Sequence, residues 1–173
     1  MGRFMNHKKL VVALTLIATA LILTHLPVSE ADAAASASDF QTQGSTLVKY
    51  RGTEERVTIP DTVEVVGESA FENNQKVQFV VIPKSVKRLD AYVFWGCNNL
   101  EEVVLGKGLT AVDEYSFAGC TGLKQITIPE NVQSIDAQAF AGCINLTDIY
   151  IPATVTGIAE DAFLNCDNVT IHA

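Results

Sequence analysis

Apolar residues recur along this chain with a period of 23 positions from residue 57 onward. In each copy two of them lie two residues apart, as Val80 and Ile82 do. Alternation with a period of two predicts a short strand that buries one face. Proline follows this strand in four of the five copies and ends it, because proline has no N–H to donate to a ladder. Each copy is therefore predicted to begin with a strand and a turn.

The rest of each copy predicts a second extended segment and a short helix. A further apolar column is expected to point inward, at Val66, Leu89, Val112, Ile135 and Ile158. The next column contains Asp90, and aspartate is a favourable helix N-cap. Six residues later only Gly and Asn occur, the residues that tolerate positive φ after a helix end. About one turn of helix is therefore predicted over segments such as residues 90–95.

Two more columns are candidates for the structural core. The first contains Phe71, Phe94, Phe117, Phe140 and Phe163. The second contains Cys97, Cys120, Cys143 and Cys166, with Asn74 in the first copy. One thiol per copy at a constant place favours a ladder of buried free thiols, since a structural metal needs four converging ligands. Stacked disulfides, or a metal-binding or catalytic role, are the alternatives.

Stacking explains why the copies are repeated. One copy cannot bury its apolar columns alone, whereas stacking in register places like residues on like residues. The predicted fold is a repeat solenoid, a right-handed superhelix of short parallel strands with short helical turns. Five coils at ~4.8 Å would make it about 25 Å long.

The repeat resembles the BspA-type leucine-rich repeat. The fourth copy carries the resemblance most fully, through Ile126, Ile128, Pro129, Val132, Ile135, Ala139, Phe140, Cys143 and Leu146. Residues 40–52 also resemble the family's N-terminal hairpin, so residues 40–56 are expected to cap five leucine-rich repeats over residues 57–173. The resemblance implies a secreted or cell-surface bacterial protein, in a family often described as adhesins or interaction modules.

The first 33 residues have the order of a secretory signal peptide. Basic residues precede an apolar run over residues 10–26, and a small-x-small cleavage site ends at Ala33. The mature chain would then begin at Ala34, with residues 34–39 as a linker and no membrane span. The alternative is an uncleaved membrane anchor, although about 17 residues is at the short end of the roughly 20 that span a bilayer.

Charge and histidine content exclude several function classes. The formal net charge is -8, and an acidic chain is a poor partner for nucleic acid because phosphate binding needs a basic face. Two of the three histidines lie within the predicted signal peptide, and only His172 remains, which argues against a histidine triad or a histidine-ligated metal. Carboxylates such as Glu101 and Glu102 are expected to face solvent. The chain is therefore predicted to be no enzyme and to need no cofactor or metal.

Exposed apolar residues are the candidate ligand-binding residues. The outer face of the first strand is expected to carry Phe79, Val81, Val104 and Tyr150. The helical turn is expected to carry Tyr92, Trp95 and Tyr115. The repeat does not require these side chains, and clustered exposed aromatics often mark an interaction surface. Alternatively, they cover coil edges or pack against the N-terminal cap.

Two functions follow from these candidates. The aromatics favour an extracellular module that binds a protein or a glycan, as an adhesin does. An open C-terminal strand edge, whose backbone groups could pair with another chain, favours instead a structural spacer or an assembly subunit that self-associates end to end.

Overall fold

The computed structural model describes residues 35–173, which form a parallel β-solenoid of about six turns. The predicted signal peptide lies outside the described residues. A short 3-10 helix, Ala37–Asp39, occupies part of the predicted linker and is capped by the Ser36 side chain. The strands that follow are β1 (Phe40–Gln43), β2 (Thr46–Tyr50), β3 (Arg56–Thr58), β4 (Val65–Val66), β5 (Phe79–Val81), β6 (Arg88–Leu89), β7 (Glu102–Val104), β8 (Ala111–Val112), β9 (Gln125–Thr127), β10 (Ser134–Ile135), β11 (Asp148–Tyr150), β12 (Gly157–Ile158) and β13 (Thr170–His172).

Each coil contributes one strand to each of two parallel ladders. The first ladder contains β3, β5 and β7 in one sheet and β9, β11 and β13 in another. The second contains β4 and β6, preceded by β2, and then β8, β10 and β12. Val80 lies opposite Val103, so the register matches the 23-residue period. In the last pair of this ladder the spacing is one residue shorter, because Ile149 of β11 lies opposite Ile171 of β13.

The hairpin β1–β2 is antiparallel, whereas β2 pairs in parallel with β4. The strand β2, which lies within the predicted cap, is therefore itself a strand of the parallel solenoid.

Backbone hydrogen bonds form a third ladder along the side of the solenoid that carries the turns. The N–H of Phe94 donates to the carbonyl of Ser116 at 2.8 Å, and the N–H of Gly119 donates to the carbonyl of Ala141 at 2.7 Å. We call this face the turn side, and it consists of residues 67–75, 90–98, 113–121, 136–144 and 159–167.

The predicted helical turn is wrong, because the turn side contains consecutive tight turns. Each turn closes through bonds three residues apart, as when the N–H of Ser116 donates to the backbone carbonyl of Asp113 at 3.2 Å. Alternate N–H groups are committed to the next coil, so they cannot bond four residues back as a helix requires. No such helix remains for the aspartates to cap, and within residues 35–173 the helical structure is the 3-10 segment Ala37–Asp39.

The Gly and Asn column has the backbone conformation that the sequence predicts. Its φ angles lie between 55° and 74° at Asn73, Gly96, Gly119, Gly142 and Asn165. A second left-handed column was not predicted, four residues earlier in each of the first four turns. It contains Ser69, Tyr92, Tyr115 and Gln138, with φ between 53° and 62°. The equivalent Asp161 of the last turn does not adopt this conformation.

Stacked aromatic rings run along the core. Phe117 is fully buried, and its ring centroid lies 5.3 Å from those of both Phe94 and Phe140. The stack extends past Phe71 to Tyr50, and Phe40 packs against Tyr50 with its ring tilted by 46°. The repeat period includes neither Tyr50 nor Phe40. At the other end Phe163 is only partly buried.

One residue of the second apolar column is not buried. Ile158 is 44% exposed, whereas the equivalent Ile135 is buried. The difference arises because β12 is the last strand of its sheet, and no described residue covers its outer side.

The four cysteines are free and buried in the core. Each thiol donates to the carbonyl of the phenylalanine 26 residues earlier, as Cys120 does to Phe94 at 3.2 Å. Burial raises the pKa of Cys97 to about 12, so the thiol stays protonated at neutral pH. In the first copy Asn74 replaces cysteine, and its Oδ1 accepts from the N–H groups of Lys76 and Val77 at 2.9 and 3.0 Å.

Candidate functional site

The seven candidate binding residues fall into two groups on different faces. Phe79, Val81, Val104 and Tyr150 flank the buried centres of β5, β7 and β11, so they lie on the outer side of the first ladder. Tyr92, Trp95 and Tyr115 lie on the turn side, and we call these three the aromatic patch. Residues of the two groups belong to separate segments of each coil and do not form one surface.

The strand-side aromatics already have partners within the chain. The Arg56 guanidinium lies 4.3 Å from the centroid of the Phe79 ring. Tyr150, although 43% exposed, stacks on the His172 ring at 4.6 Å. His172 in turn contacts Asp148 through Nε2 at 2.7 Å, and this contact lowers the pKa of the Asp148 carboxyl. This face is therefore partly covered by its own polar side chains.

The aromatic patch is formed by three rings in contact. Tyr92 and Tyr115 lie in adjacent coils and stack at 4.8 Å with an angle of 5° between their planes. Trp95 meets Tyr92 edge to face at 6.5 Å and is 40% exposed. Such pairs are favourable geometries for aromatic rings. They join the three rings into one contiguous patch.

The two tyrosines have a left-handed backbone conformation, which other residue types adopt at a lower cost. Their φ angles are 62° at Tyr92 and 55° at Tyr115. A bulky side chain in this region is an outlier, and the strain is of the order of 1–3 kcal/mol at each such position. Ser69 and Gln138 occupy the same column in neighbouring coils. The first four turns thus adopt the left-handed conformation with or without an aromatic ring at this position.

Carboxylates surround the aromatic patch. The pKa of Tyr92 is raised. Partial desolvation is the largest cause, and the nearby Tyr115, Glu114 and Glu68 add smaller contributions. On the same turns the aspartates of three successive coils form a half-buried column, Asp90, Asp113 and Asp136. Burial and these neighbours raise the pKa of Asp113. The rings of the patch therefore lie in a field of negative charge.

The described residues also form a polar cleft of about 340 Å³, away from the aromatic patch, lined by Gln78, Asn98, Asn99, Glu101, Gly122, Lys124 and Asn145. Several of these groups already have partners. Asn99 and Asn145 donate at 2.8 Å to the carbonyls of Gln75 and Thr121, and Lys124 pairs with Glu101 at 3.0 Å. The asparagines therefore fix the turns between coils.

No group of three or more acidic, histidine or cysteine side chains that could hold a metal occurs among residues 35–173. The same residues contain no helix long and apolar enough to cross a membrane.

Similar proteins were found by sequence family and by structure. A family model described as a BspA type leucine rich repeat region, with six copies, matches residues 49–170. No curated protein matches the chain significantly. A leucine rich cell surface protein from Faecalibacterium prausnitzii A2-165 is 34% identical with a TM-score of 0.70, over 74% of this chain and 35% of the other.

Two further solved structures have the same fold. The T. pallidum leucine rich repeat protein is 27% identical with a TM-score of 0.75, over 78% of this chain and 68% of the other. A leucine-rich repeat protein from Bacteroides ovatus ATCC 8483 is 29% identical with a TM-score of 0.65, over 75% of this chain and 36% of the other. The chain thus spans about a third of the length of the F. prausnitzii and B. ovatus proteins.

The family match begins within β2 and ends at the start of β13, and it covers most of the described chain. The 23-residue columns, the parallel ladders and this match agree, and the chain belongs to the BspA-type leucine-rich repeat family.

Proposed function

We propose that this chain is a secreted or cell-surface binding module whose aromatic patch contacts an extracellular protein or glycan. The supporting observation is the pair of stacked tyrosines at left-handed positions that Ser69 and Gln138 fill elsewhere. Strain retained at a surface position suggests that the side chain has a role beyond folding. Large aromatics also supply much of the energy of protein interfaces.

The proposed location depends on the order of residues 1–33 and on the relatives. The predicted signal peptide would direct the chain out of the cytoplasm. The F. prausnitzii relative is described as a cell surface protein. The proposed binding at this patch, where Trp95 is exposed and Tyr92 and Tyr115 are half-buried, needs no cofactor or catalytic group.

The experiment compares three immobilised proteins that span residues 35–173. These are the unchanged chain, a double variant with Trp95→Ala and Tyr115→Gln, and the control Leu164→Ala. Alanine already occurs in the Trp95 column at Ala118, and glutamine occurs in the Tyr115 column at Gln138. Leu164 shares the Trp95 column and is 46% exposed, so it controls for general loss of apolar surface.

Each protein is exposed to cell-envelope and extracellular-matrix fractions, and bound material is quantified. We expect the control to retain bound material as the unchanged chain does, and the double variant to lose it while melting normally. Equal retention by all three proteins would refute binding through the patch.

A structural or assembly role is the second candidate function. It is favoured by β12 and β13, each of which pairs on one side only within residues 35–173. Unpaired strand edges readily pair with another chain. Sedimentation equilibrium tests this role, since a self-associating chain would show a mass that rises with concentration and falls after Ile158→Lys.

A further inference from the structure

The distribution of charge over the described residues is uneven. Residues 35–173 contain 18 acidic and nine basic side chains. The turn side contains nine of the acidic side chains and none of the basic ones. The remaining described residues therefore hold nine of each and are balanced. The whole net charge of -9 of this part of the chain arises on the side that carries the aromatic patch.

Two cations from other segments reach the edge of this side. Arg88 contacts the Asp90 carboxylate through Nε at 2.6 Å. The Lys49 ammonium donates to the backbone carbonyl of Ser69 at 2.8 Å. Neither contact neutralises Glu68, Glu72 or Glu114, for which no ion pair occurs among the described residues.

These three glutamates lie around the rings. Glu114 directly precedes Tyr115, and its backbone carbonyl accepts the N–H of Tyr92 at 3.2 Å. Glu72 occupies the Trp95 column one coil earlier. The Glu68 and Glu114 carboxylates are close enough to raise the pKa of Tyr92. A ligand that covers the rings therefore also meets carboxylates.

We propose that the aromatic patch recognises an arginine- or lysine-rich segment of a partner protein. This inference rests on the proposed function and names the chemistry of its ligand. Guanidinium and ammonium groups are attracted to the faces of tyrosine and tryptophan rings, and arginine also forms bidentate bonds with carboxylates. The chain already makes such a contact between Arg56 and Phe79 on its other face. The acidic turn side would in addition steer a basic segment toward the rings.

Trp95 makes the test specific, because it is the single tryptophan of the chain. The probe is a capped decapeptide of alternating arginine and serine, titrated into residues 35–173. Its control is the same peptide with citrulline, which has nearly the shape of arginine but no charge. Trp95 fluorescence reports binding at the patch, and anisotropy of a labelled peptide reports binding in all variants. We expect saturable binding of the arginine peptide that weakens as salt rises toward about 150 mM, and none of the citrulline peptide.

Two triple variants separate the local effect of the carboxylates from that of net charge. Glu68→Gln, Glu72→Gln and Glu114→Gln together remove three charges beside the rings. Glu55→Gln, Glu102→Gln and Glu130→Gln remove three exposed charges elsewhere. We expect the first triple variant to bind the arginine peptide at least about tenfold more weakly, equivalent to ~1.4 kcal/mol, and the second to bind nearly as the unchanged chain.

The other outcomes overturn the inference in distinguishable ways. Equal weakening by both triple variants would show only a diffuse charge effect, and binding of the citrulline peptide would show that charge is not recognised. Capture of a chitosan oligomer but not the arginine peptide would assign an amino-glycan instead. If the arginine peptide fails while Trp95→Ala with Tyr115→Gln still abolishes retention of envelope material, the proposed function stands and the basic ligand does not. If neither effect is seen, both fail.

Discussion

The stacked phenylalanines allow a sharp test of the solenoid core. Phe117→Ala removes a fully buried ring that stacks at 5.3 Å on Phe94 and on Phe140. Truncating a buried phenylalanine lowers the free energy of unfolding by ~3–5 kcal/mol. Phe163→Ala removes a partly buried ring with one stacking partner, Phe140, at 5.4 Å.

The difference between the two variants follows from their neighbours. An aromatic pair contributes ~0.5–1.5 kcal/mol beyond its buried area, and Phe117 loses two pairs where Phe163 loses one. The last coil can also fray while the rest of a repeat array remains folded. We therefore expect Phe163→Ala to lower the free energy of unfolding by at least ~1 kcal/mol less than Phe117→Ala.

Urea denaturation followed by circular dichroism measures this difference. With a denaturant slope of about 2 kcal/mol/M, a loss of ~4 kcal/mol moves the midpoint by about 2 M. Leu164→Ala, an exposed change beside Phe163, serves as the control and is expected to stay within ~0.5 kcal/mol of the unchanged chain. Equal midpoint shifts for the two phenylalanine variants would refute a stability that depends on position in the stack.

Four more predictions address other features. N-terminal sequencing of the secreted protein should begin near Ala34, and a membrane-bound species that retains Met1 would contradict cleavage. Thiol reagents should label the cysteines slowly in the native protein and fully in urea. The pKa of Cys97 rises from 9.0 to about 12 on folding, so its stabilising contribution is complete below about pH 9 and declines as pH rises toward 12. The urea midpoint should therefore fall as pH rises through that range. A midpoint that does not change would contradict the burial of this thiol. Gly119→Ala, at φ 74° with no atom nearer than 3.5 Å to the new Cβ, should cost roughly 1–2 kcal/mol of unfolding free energy, and no loss would show that the backbone angle is unimportant.

Local pattern was sufficient to predict the repeat and its core. Each buried column repeats every 23 residues because each coil has the same neighbours as the next, so sequence period and spatial contact coincide. The Gly and Asn column was predictable because these residue types tolerate positive φ. The second left-handed column was not, because Ser, Tyr and Gln do not signal that conformation. The helical turn was wrong because hydrogen bonds between coils, which no single segment reveals, take the N–H groups that a helix would use.

The sequence by itself determined the family fold, the 23-residue register and most of the residues that fill the core, although not Phe40 and Tyr50, and not the exposure of Ile158. The path of the backbone around each coil decided which of the outward-facing residue columns lie on the same surface. It brought Tyr92 and Tyr115 into a stack beside Trp95, and it left Phe79 beneath Arg56 and Tyr150 beside His172. It also collected the excess carboxylates on the turn side. A core column repeats in the sequence because each of its residues contacts the equivalent residue of the next coil. A surface patch combines residues from different positions of the coil, and only the three-dimensional fold brings these together.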